Sequence, residues 1–279
     1  MTRTSGALRK MQAEIADTPG AVAQYSLVLD EQLLPLNERI GNSVMLRYEG
    51  VINCIHCGRK TSKSFNQGYC YPCFRSLARC DQCIVSPEKC HYHLGTCREP
   101  EWADNFCMRD HYVYLANSSG VKVGITRGNQ IPTRWLDQGA TQALPLFRVQ
   151  SRRIAGLLET ACKAHVADKT NWRAMLKGDP EPVDLLAEAD VLVTSVNADI
   201  DALRDEFGIQ SVTALSDVTP VCITYPVDRY PTRLVSHNFD KEPEVAGVLQ
   251  GIKGQYLIFD TGVINMRKYG GYRVSVDFS

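Results

Sequence analysis

The chain has no excess of either charge, because 31 Lys and Arg side chains balance 31 Asp and Glu side chains over its 279 residues. It has no apolar run near the roughly 20 residues needed to cross a bilayer. Its first residues, MTRTSGALRK, contain no apolar signal core. These absences exclude a chain that is basic throughout and argue against a membrane span. They also predict a cytoplasmic location.

The charges that are present are unevenly distributed. Residues 54–173 have a net charge of +8, whereas residues 174–220 have a net charge of −8. Such asymmetry is typical of a chain with a polyanionic partner, so the basic part predicts binding of a nucleic acid, DNA or RNA. The alternative is that the acidic part folds against the basic part and neutralises it.

Cysteine is concentrated in one stretch, since nine of the 11 cysteines lie between residues 54 and 107. Cys54, Cys57, Cys70 and Cys73 form the pattern C-x₂-C-x₁₂-C-x₂-C. Each Cys-x-x-Cys pair suits a tight turn that directs two thiolates at one centre, and two such turns complete the tetrahedron that Zn²⁺ prefers. A disulfide framework is the alternative, but it belongs to short exported chains. We therefore predict a structural zinc site.

The next cysteines predict a second structural zinc site with a less certain ligand set. The spacing favours Cys80, Cys83, Cys90 and His93 as ligands. Cys107 could replace Cys80, because a later loop often supplies the fourth ligand. A module of this size with few large apolar side chains is expected to need its metal to fold.

The segment after the cysteines has the order strand, strand, helix, strand, helix. Period-two alternation and turn residues predict strands over 112–116, 121–126 and 144–150. Helical spacing predicts helices over 131–139 and 152–167.

This segment resembles the GIY-YIG nuclease domain, over about residues 111–170. The Y-V-Y that ends at Tyr114 is similar to the first motif, and the K-V-G that ends at Gly124 is similar to the second. Arg134 and Glu159 stand where that family keeps an arginine and a metal-binding glutamate on its two helices. The whole chain also resembles an uncharacterised bacterial zinc-knuckle family.

The resemblance implies metal-assisted hydrolysis of a phosphodiester bond. Tyr114 would be the general base, Arg134 would hold the phosphate, and Glu159 would bind a catalytic Mg²⁺. Lys122 would lower the pKa of Tyr114 or contact the leaving phosphate. Tyr112 should share a strand face with Tyr114, because residues i and i+2 point the same way.

Each of these residues also has a structural interpretation. Tyr114 is a common core residue of strands. Arg134 could pair with Asp137 on its own helix, and Glu159 could pair with Lys163 one turn away.

Two functions follow from these expectations. The first is a Mg-dependent endonuclease with structural zinc modules that cuts DNA or RNA. The alternative is a non-catalytic zinc protein that binds nucleic acid or a ribonucleoprotein. A zinc-scaffolded adaptor for protein partners is a third class, but it does not explain the ordered Tyr114, Arg134 and Glu159.

The expected fold class is α+β. It combines a small antiparallel three-stranded sheet with helices, a Cys-rich zinc module, and a β-rich, barrel-like domain built from the chain ends. The predicted segments are a helical segment 1–35, a discontinuous β-rich domain 36–53 and 218–279, a zinc module 54–110, a GIY-YIG-like domain 111–175 and an acidic helical segment 176–217.

Overall fold

The computed structural model describes residues 3–16, 18 and 20–278. It confirms a mixed α+β architecture with several antiparallel sheets. The strands are β1 (Thr4–Ala7), β2 (Gln12–Glu14), β3 (Gln24–Leu29), β4 (Gln32–Pro35), β5 (Ser43–Asn53), β6 (Lys60–Thr61), β7 (His111–Asn117), β8 (Val121–Arg127), β9 (Gln142–Val149), β10 (Val212–Ala214), β11 (Val221–Cys222), β12 (Glu244–Lys253), β13 (Tyr256–Phe259), β14 (Gly262–Asn265) and β15 (Tyr272–Phe278). The helices are α1 (Tyr71–Ser76), α2 (Pro100–Phe106), α3 (Thr133–Asp137), α4 (Arg152–Cys162), α5 (Trp172–Met175), α6 (Leu185–Ser195) and α7 (Asn197–Phe207).

The largest sheet joins strands that are far apart in the sequence. Its order is β1-β15-β5-β12-β13-β14, with β6 added beside β5, and each of its pairs is antiparallel. A small three-stranded sheet, β2-β3-β4, contributes side chains to the same apolar core. Apolar residues on alternate positions, such as Val44 and Leu46 in β5, supply the buried face.

The prediction of a helical segment over 1–35 is wrong, because the described part of that range forms β1 to β4; residues 1, 2, 17 and 19 lie outside the described residues. The physical reason is visible in β3, where Tyr25, Leu27 and Leu29 are buried at every second position. That period of two fits a strand and not a helix. The other predicted segment boundaries stay predictions.

The second sheet has the order β10-β9-β7-β8, and β11 also pairs with β9. The strands predicted over 112–116, 121–126 and 144–150 correspond to β7, β8 and β9. The two short strands β10 and β11 extend this sheet, so it has five strands and not the three that were predicted. The sheet is buried on both faces. Val113 and Leu115 enter one apolar core and Tyr114 and Ala116 enter the other.

The acidic segment forms two helices, α6 and α7, which meet at the buried Val196. Their apolar residues, among them Leu192 and Ile200, pack in the same core as Val113. One ion pair, Arg153 with Glu206 at 3.8 Å, joins this acidic segment to the basic residues 54–173. The acidic helices are therefore held by apolar packing, and most of the basic charge is not neutralised by them.

The cysteine-rich region consists of short turns of 3₁₀-helix together with α1 and α2. It contacts the second sheet mainly through α4, where Gly156 lies against Pro87 and Glu88. No helix among the described residues is long and apolar enough to cross a membrane.

Candidate functional site

The first four cysteines converge as their spacing predicts. The Sγ atoms of Cys54, Cys57, Cys70 and Cys73 all lie within 4.8 Å of one another. Those of Cys57 and Cys70 are 3.7 Å apart. Such a tetrad could hold a zinc ion as four thiolates.

Local structure places these thiols. Cys54 follows the end of β5, and Gly58 takes a positive φ of 72° that closes the first turn. Cys70 caps α1, and Pro72 stands in its first turn. Burial raises the pKa of the Cys54 thiol, but backbone amides of Cys57, Cys70 and His56 outweigh burial and bring that pKa to about 6. Amide donors of this kind stabilise a thiolate, which is the form that binds metal.

The structure changes the predicted ligands of the second zinc site. Cys80 packs with the first tetrad in one buried cluster and lies in the electrostatic field of Cys54. Asp81 has extended backbone between two turns of 3₁₀-helix, and the ligand atoms grouped with that of Cys83 are those of Asp81 and His91, not that of Cys80. His93 is exposed.

Other residues gather around Cys83. Its thiol interacts with the thiol of Cys90, while Cys107 lies in the field of Cys90 and Cys97. The ligand atoms of Asp81, Cys83 and His91 also lie within 4.8 Å of one another. However, Asp81 already pairs with Arg98 at 2.7 Å. The sequence pattern missed these groupings because turns, rather than spacing, set the direction of each side chain.

A second constellation, the central polar cluster, is defined by Tyr114, Lys122, Arg134, Gln138 and Glu159. Tyr114 is fully buried, and its hydroxyl donates a hydrogen bond to Oε1 of Gln138 at 2.9 Å. The charge of Arg134 also acts on the Tyr114 hydroxyl. Gln138 follows Arg134 by one helical turn, but no sequence motif distinguishes it.

Gly124 makes room for the Tyr114 ring. A Cβ atom at residue 124 would lie 2.7 Å from the Tyr114 hydroxyl oxygen. Gly124 pairs with Tyr114 across β7 and β8, so the glycine in the K-V-G sequence is explained by this close approach.

Lys122 is buried as well, with an exposed fraction of 4%. Burial and the nearby positive charge of Arg134 together lower its pKa to about 8, against the opposing effects of Glu159 and Asp168. Among the described residues, Lys122 has no ion-pair partner within 4.0 Å. It therefore brings a positive charge into the cluster that no carboxylate fully neutralises.

Glu159 pairs with Lys163, the partner considered for it one helical turn away. Lys163 lies 3.3 Å from Glu159 and 3.4 Å from Asp168. Burial raises the pKa of Glu159, and the ammonium of Lys163 opposes that rise. A paired carboxylate is a weaker ligand for Mg²⁺ than a free one, and the Mg²⁺ role expected for Glu159 has no support.

Arg134 does not pair with Asp137, the partner considered for it on its own helix. Asp137 instead pairs with Lys10 and, at 3.8 Å, with Arg267. Arg134 forms no ion pair within the described part of the chain. Its charge acts on Tyr114, Lys122 and the buried Arg152.

Tyr112 lies apart from the central polar cluster. It lines an open cleft of about 700 Å³ with Arg109, Arg127 and Gln150. Of the five residues predicted as catalytic, the structure thus brings Tyr114, Lys122, Arg134 and Glu159 together and leaves Tyr112 in a separate cleft.

The electrostatics of Tyr114 differ from the expectation for a general base. Burial raises its pKa, and the charge of Arg134 opposes this without reversing it. A neighbouring cation was expected to lower the pKa of this tyrosine below its usual range. The expectation failed because complete burial removes the water that stabilises a phenolate.

Two arginines join the cluster to other parts of the fold. Arg152, at the start of α4, donates a hydrogen bond from Nη2 to the carbonyl oxygen of Ile84 at 2.6 Å. Arg267 lies in the field of Arg134 although it belongs to the far end of the chain. Sequence spacing offers no signal for Arg267, because its proximity depends on how the large sheet packs.

In a comparison with protein-family models, residues 41–274 match the family described as "Protein of unknown function (DUF2797)". The chain belongs to that family. No curated protein and no solved structure matches it. There is no GIY-YIG signal, so the assignment to GIY-YIG nucleases and to a separate zinc-knuckle family is corrected. The short Y-V-Y and K-V-G sequences are explained by two buried strands that pack Tyr114 over Gly124.

Proposed function

We propose that this member of the DUF2797 family is a non-catalytic, zinc-stabilised protein that binds nucleic acid through its phosphate groups. The observation that carries the proposal is the central polar cluster. There, Arg134 has no carboxylate partner among the described residues, and it lies beside the buried, positively charged Lys122. Guanidinium groups hydrogen-bond readily to phosphate oxygens.

The distribution of charge supports the same function. Residues 54–173 have a net charge of +8, and one ion pair, Arg153 with Glu206, connects them to the acidic residues 174–220. When Lys and Arg side chains bind phosphates, the counterions condensed on the nucleic acid are released. Such a surface therefore gives salt-dependent affinity for polyanions.

Zinc has a structural role in this proposal. The tetrad of Cys54, Cys57, Cys70 and Cys73 binds one ion. A second ion would be held around Cys83, whose thiol interacts with that of Cys90 and whose ligand atom lies within 4.8 Å of those of Asp81 and His91. Metal analysis of the purified chain should give two zinc ions, and Cys90→Ser should lower this to one. A wild-type content of one ion would exclude the second site.

The binding function is tested by the fluorescence anisotropy of labelled single-stranded DNA and RNA. Arg134→Gln should weaken binding about tenfold, the loss of one good charge-assisted contact to phosphate. Arg47→Gln is the matched control, because Arg47 is exposed and pairs with Glu244 on the large sheet. Equal weakening by both variants, or wild-type affinity that does not change with salt, would contradict the proposal.

A second candidate function is metal-dependent hydrolysis of a phosphodiester bond, and the convergence of Tyr114, Lys122, Arg134 and Glu159 favours it. The burial of Tyr114 and the pairing of Glu159 with Lys163 weigh against it. Incubation of single-stranded and duplex substrates with Mg²⁺ distinguishes the two functions. Cleavage by the wild type that is lost in both Tyr114→Phe and Glu159→Gln would replace the binding proposal with an enzymatic one.

A further inference from the structure

A small cavity of about 270 Å³ lies where the first zinc tetrad meets the N-terminal strands and the large sheet. The residues that matter for its chemistry are Arg9, Lys10, Asn66, Gln67, Arg79 and Arg267.

The cavity wall carries more positive charge than the protein neutralises. Asp137 is the carboxylate beside it, and that group pairs with both Lys10 and Arg267. Arg9 and Arg79 form no ion pair within the described part of the chain. Two guanidinium groups thus border the cavity without a carboxylate of their own.

Other contacts hold these cations in place. Nη1 of Arg9 donates to the carbonyl oxygen of Ile55 at 3.0 Å, and Nε of Arg267 donates to Oε1 of Gln67 at 2.7 Å. The Arg79 guanidinium lies 5.6 Å from the centre of the Trp102 ring. Side chains that are fixed in advance lose little conformational entropy when they bind a ligand.

One polar atom of this wall is left without a partner. Nε of Arg79 is buried and has no hydrogen-bond acceptor. A buried donor without an acceptor is unfavourable, but this atom has almost no accessible surface, so an oxyanion in the cavity would reach it only after a shift of the Arg79 side chain. Ordinary packing accounts for the stacking of Arg79 on Trp102 but leaves this donor unexplained.

We propose that this cavity binds a phosphate monoester group. A monoester carries nearly two negative charges at neutral pH, which matches two unneutralised arginines better than a diester or a carboxylate does. Asn66 already donates from Nδ2 to the carbonyl oxygen of Arg79 at 3.4 Å, whereas Gln67 accepts from Arg267 through Oε1 and can donate to a phosphate oxygen from Nε2. The site lies outside the central polar cluster, and so it is an assignment beyond the proposed function.

The test is calorimetric titration of the zinc-loaded full chain with inorganic phosphate at low ionic strength. Wild type should bind phosphate, and Arg9→Gln and Arg79→Gln should each weaken binding about tenfold. Arg233→Gln is the matched control, because Arg233 is an exposed arginine that lines a different cleft. Zinc content and melting temperature identify any variant that has lost its fold, and Arg9 keeps the test valid if Arg79→Gln does not fold.

Sulfate gives a second readout, because it stays a dianion where phosphate does not. The affinity for inorganic phosphate should fall as the pH drops through the second pKa of inorganic phosphate, because the dianion then becomes a monoanion. The affinity for sulfate should stay constant over that range. The absence of phosphate binding to wild type, or equal weakening in Arg233→Gln, would overturn the proposal.

Oligonucleotides distinguish the source of the phosphate and separate this proposal from the previous one. A preference for a 5′-phosphate end over a 5′-hydroxyl end, lost in Arg9→Gln, would identify a strand end as the ligand. Phosphate binding without that preference would identify a small phosphorylated molecule. Arg134→Gln should weaken binding of the 5′-hydroxyl oligonucleotide and leave phosphate binding unchanged. If instead Arg134→Gln abolishes phosphate binding while Arg9→Gln and Arg79→Gln retain it, the cavity is not the phosphate site.

Discussion

Lys253 and Lys122 are both buried lysines, but the protein satisfies them differently. The side chain of Lys253 has no exposure and lies 2.6 Å from the carboxylate of Asp179. It also donates hydrogen bonds to the Gly178 carbonyl and to the Tyr230 hydroxyl. Lys122, at 4% exposure, has no such set of partners within the described residues.

The difference separates a structural charge from an available one. Lys253 connects the loop before α6 to the end of β12, and its charge is fully used within the fold. Lys122 is held by the strand pairing of β8, while its charge is left to the central polar cluster. A buried charge with few internal partners is destabilising, and a ligand of opposite charge can offset that effect.

The largest expected effect is a loss of stability when Lys253 loses its carboxylate partner. Asp179→Asn leaves the ammonium of Lys253 buried without its carboxylate, and we expect the free energy of unfolding to fall by about 2 kcal/mol, less than for a fully buried pair because Asp179 itself is largely exposed. Urea denaturation of the zinc-loaded chain measures this. Asp201→Asn, which removes a carboxylate from an exposed pair with Arg204, should change it by less than about 0.5 kcal/mol. A similar loss in both variants would remove the contrast between the lysines.

The next effect has the opposite sign. Lys122→Met removes a buried charge without orphaning a carboxylate, so we expect it to raise the free energy of unfolding at pH 7 by about 1 to 2 kcal/mol.

The pH dependence of that difference is the sharper measurement. The pKa of Lys122 is about 8 in the folded chain and near 10.5 when exposed. Between these values the unfolded chain binds more protons, so stability from this group rises with pH. The advantage of Lys122→Met over wild type should therefore shrink from pH 8 to pH 10. An advantage that is constant over this range would show that the charge of Lys122 is not its cause.

The smallest effect is on binding. The affinity of wild type for an oligonucleotide should fall about fivefold as the pH rises through 8, because Lys122 loses about 1 kcal/mol of charged contact. Lys122→Met should bind more weakly at pH 7 and lack this step. An identical step in the variant would assign the pH dependence to another group.

What could be predicted from the sequence depended on local spacing. The tetrad of Cys54, Cys57, Cys70 and Cys73 converges because two tight turns fix two ligands each. The strands β7 to β9 were visible because alternation is a local property of the chain. The pairing of Glu159 with Lys163 was also available from helical geometry.

The remainder depended on contacts between distant segments. Arg267 approaches Arg134 through the packing of the large sheet, and no spacing rule brings those residues together. Cys80 packs with Cys54, Cys70 and Cys73 in one buried cluster, a contact that its Cys-x-x-Cys spacing with Cys83 does not indicate. The pKa of Tyr114 could not be judged in advance, since it is set by complete burial beneath Gly124.

The position of β15 has a consequence for the order of events during synthesis. This strand lies between β1 and β5, so neither of those strands has its full set of neighbours until residues 272–278 have left the ribosome. The cysteine-rich region is closed by nearby contacts and can take up zinc earlier. During translation, β1 and β5 expose unpaired edges of the kind that recruit other chains. A nascent chain that stalls before β15 should therefore be a substrate for chaperones even when its cysteine-rich region is already folded.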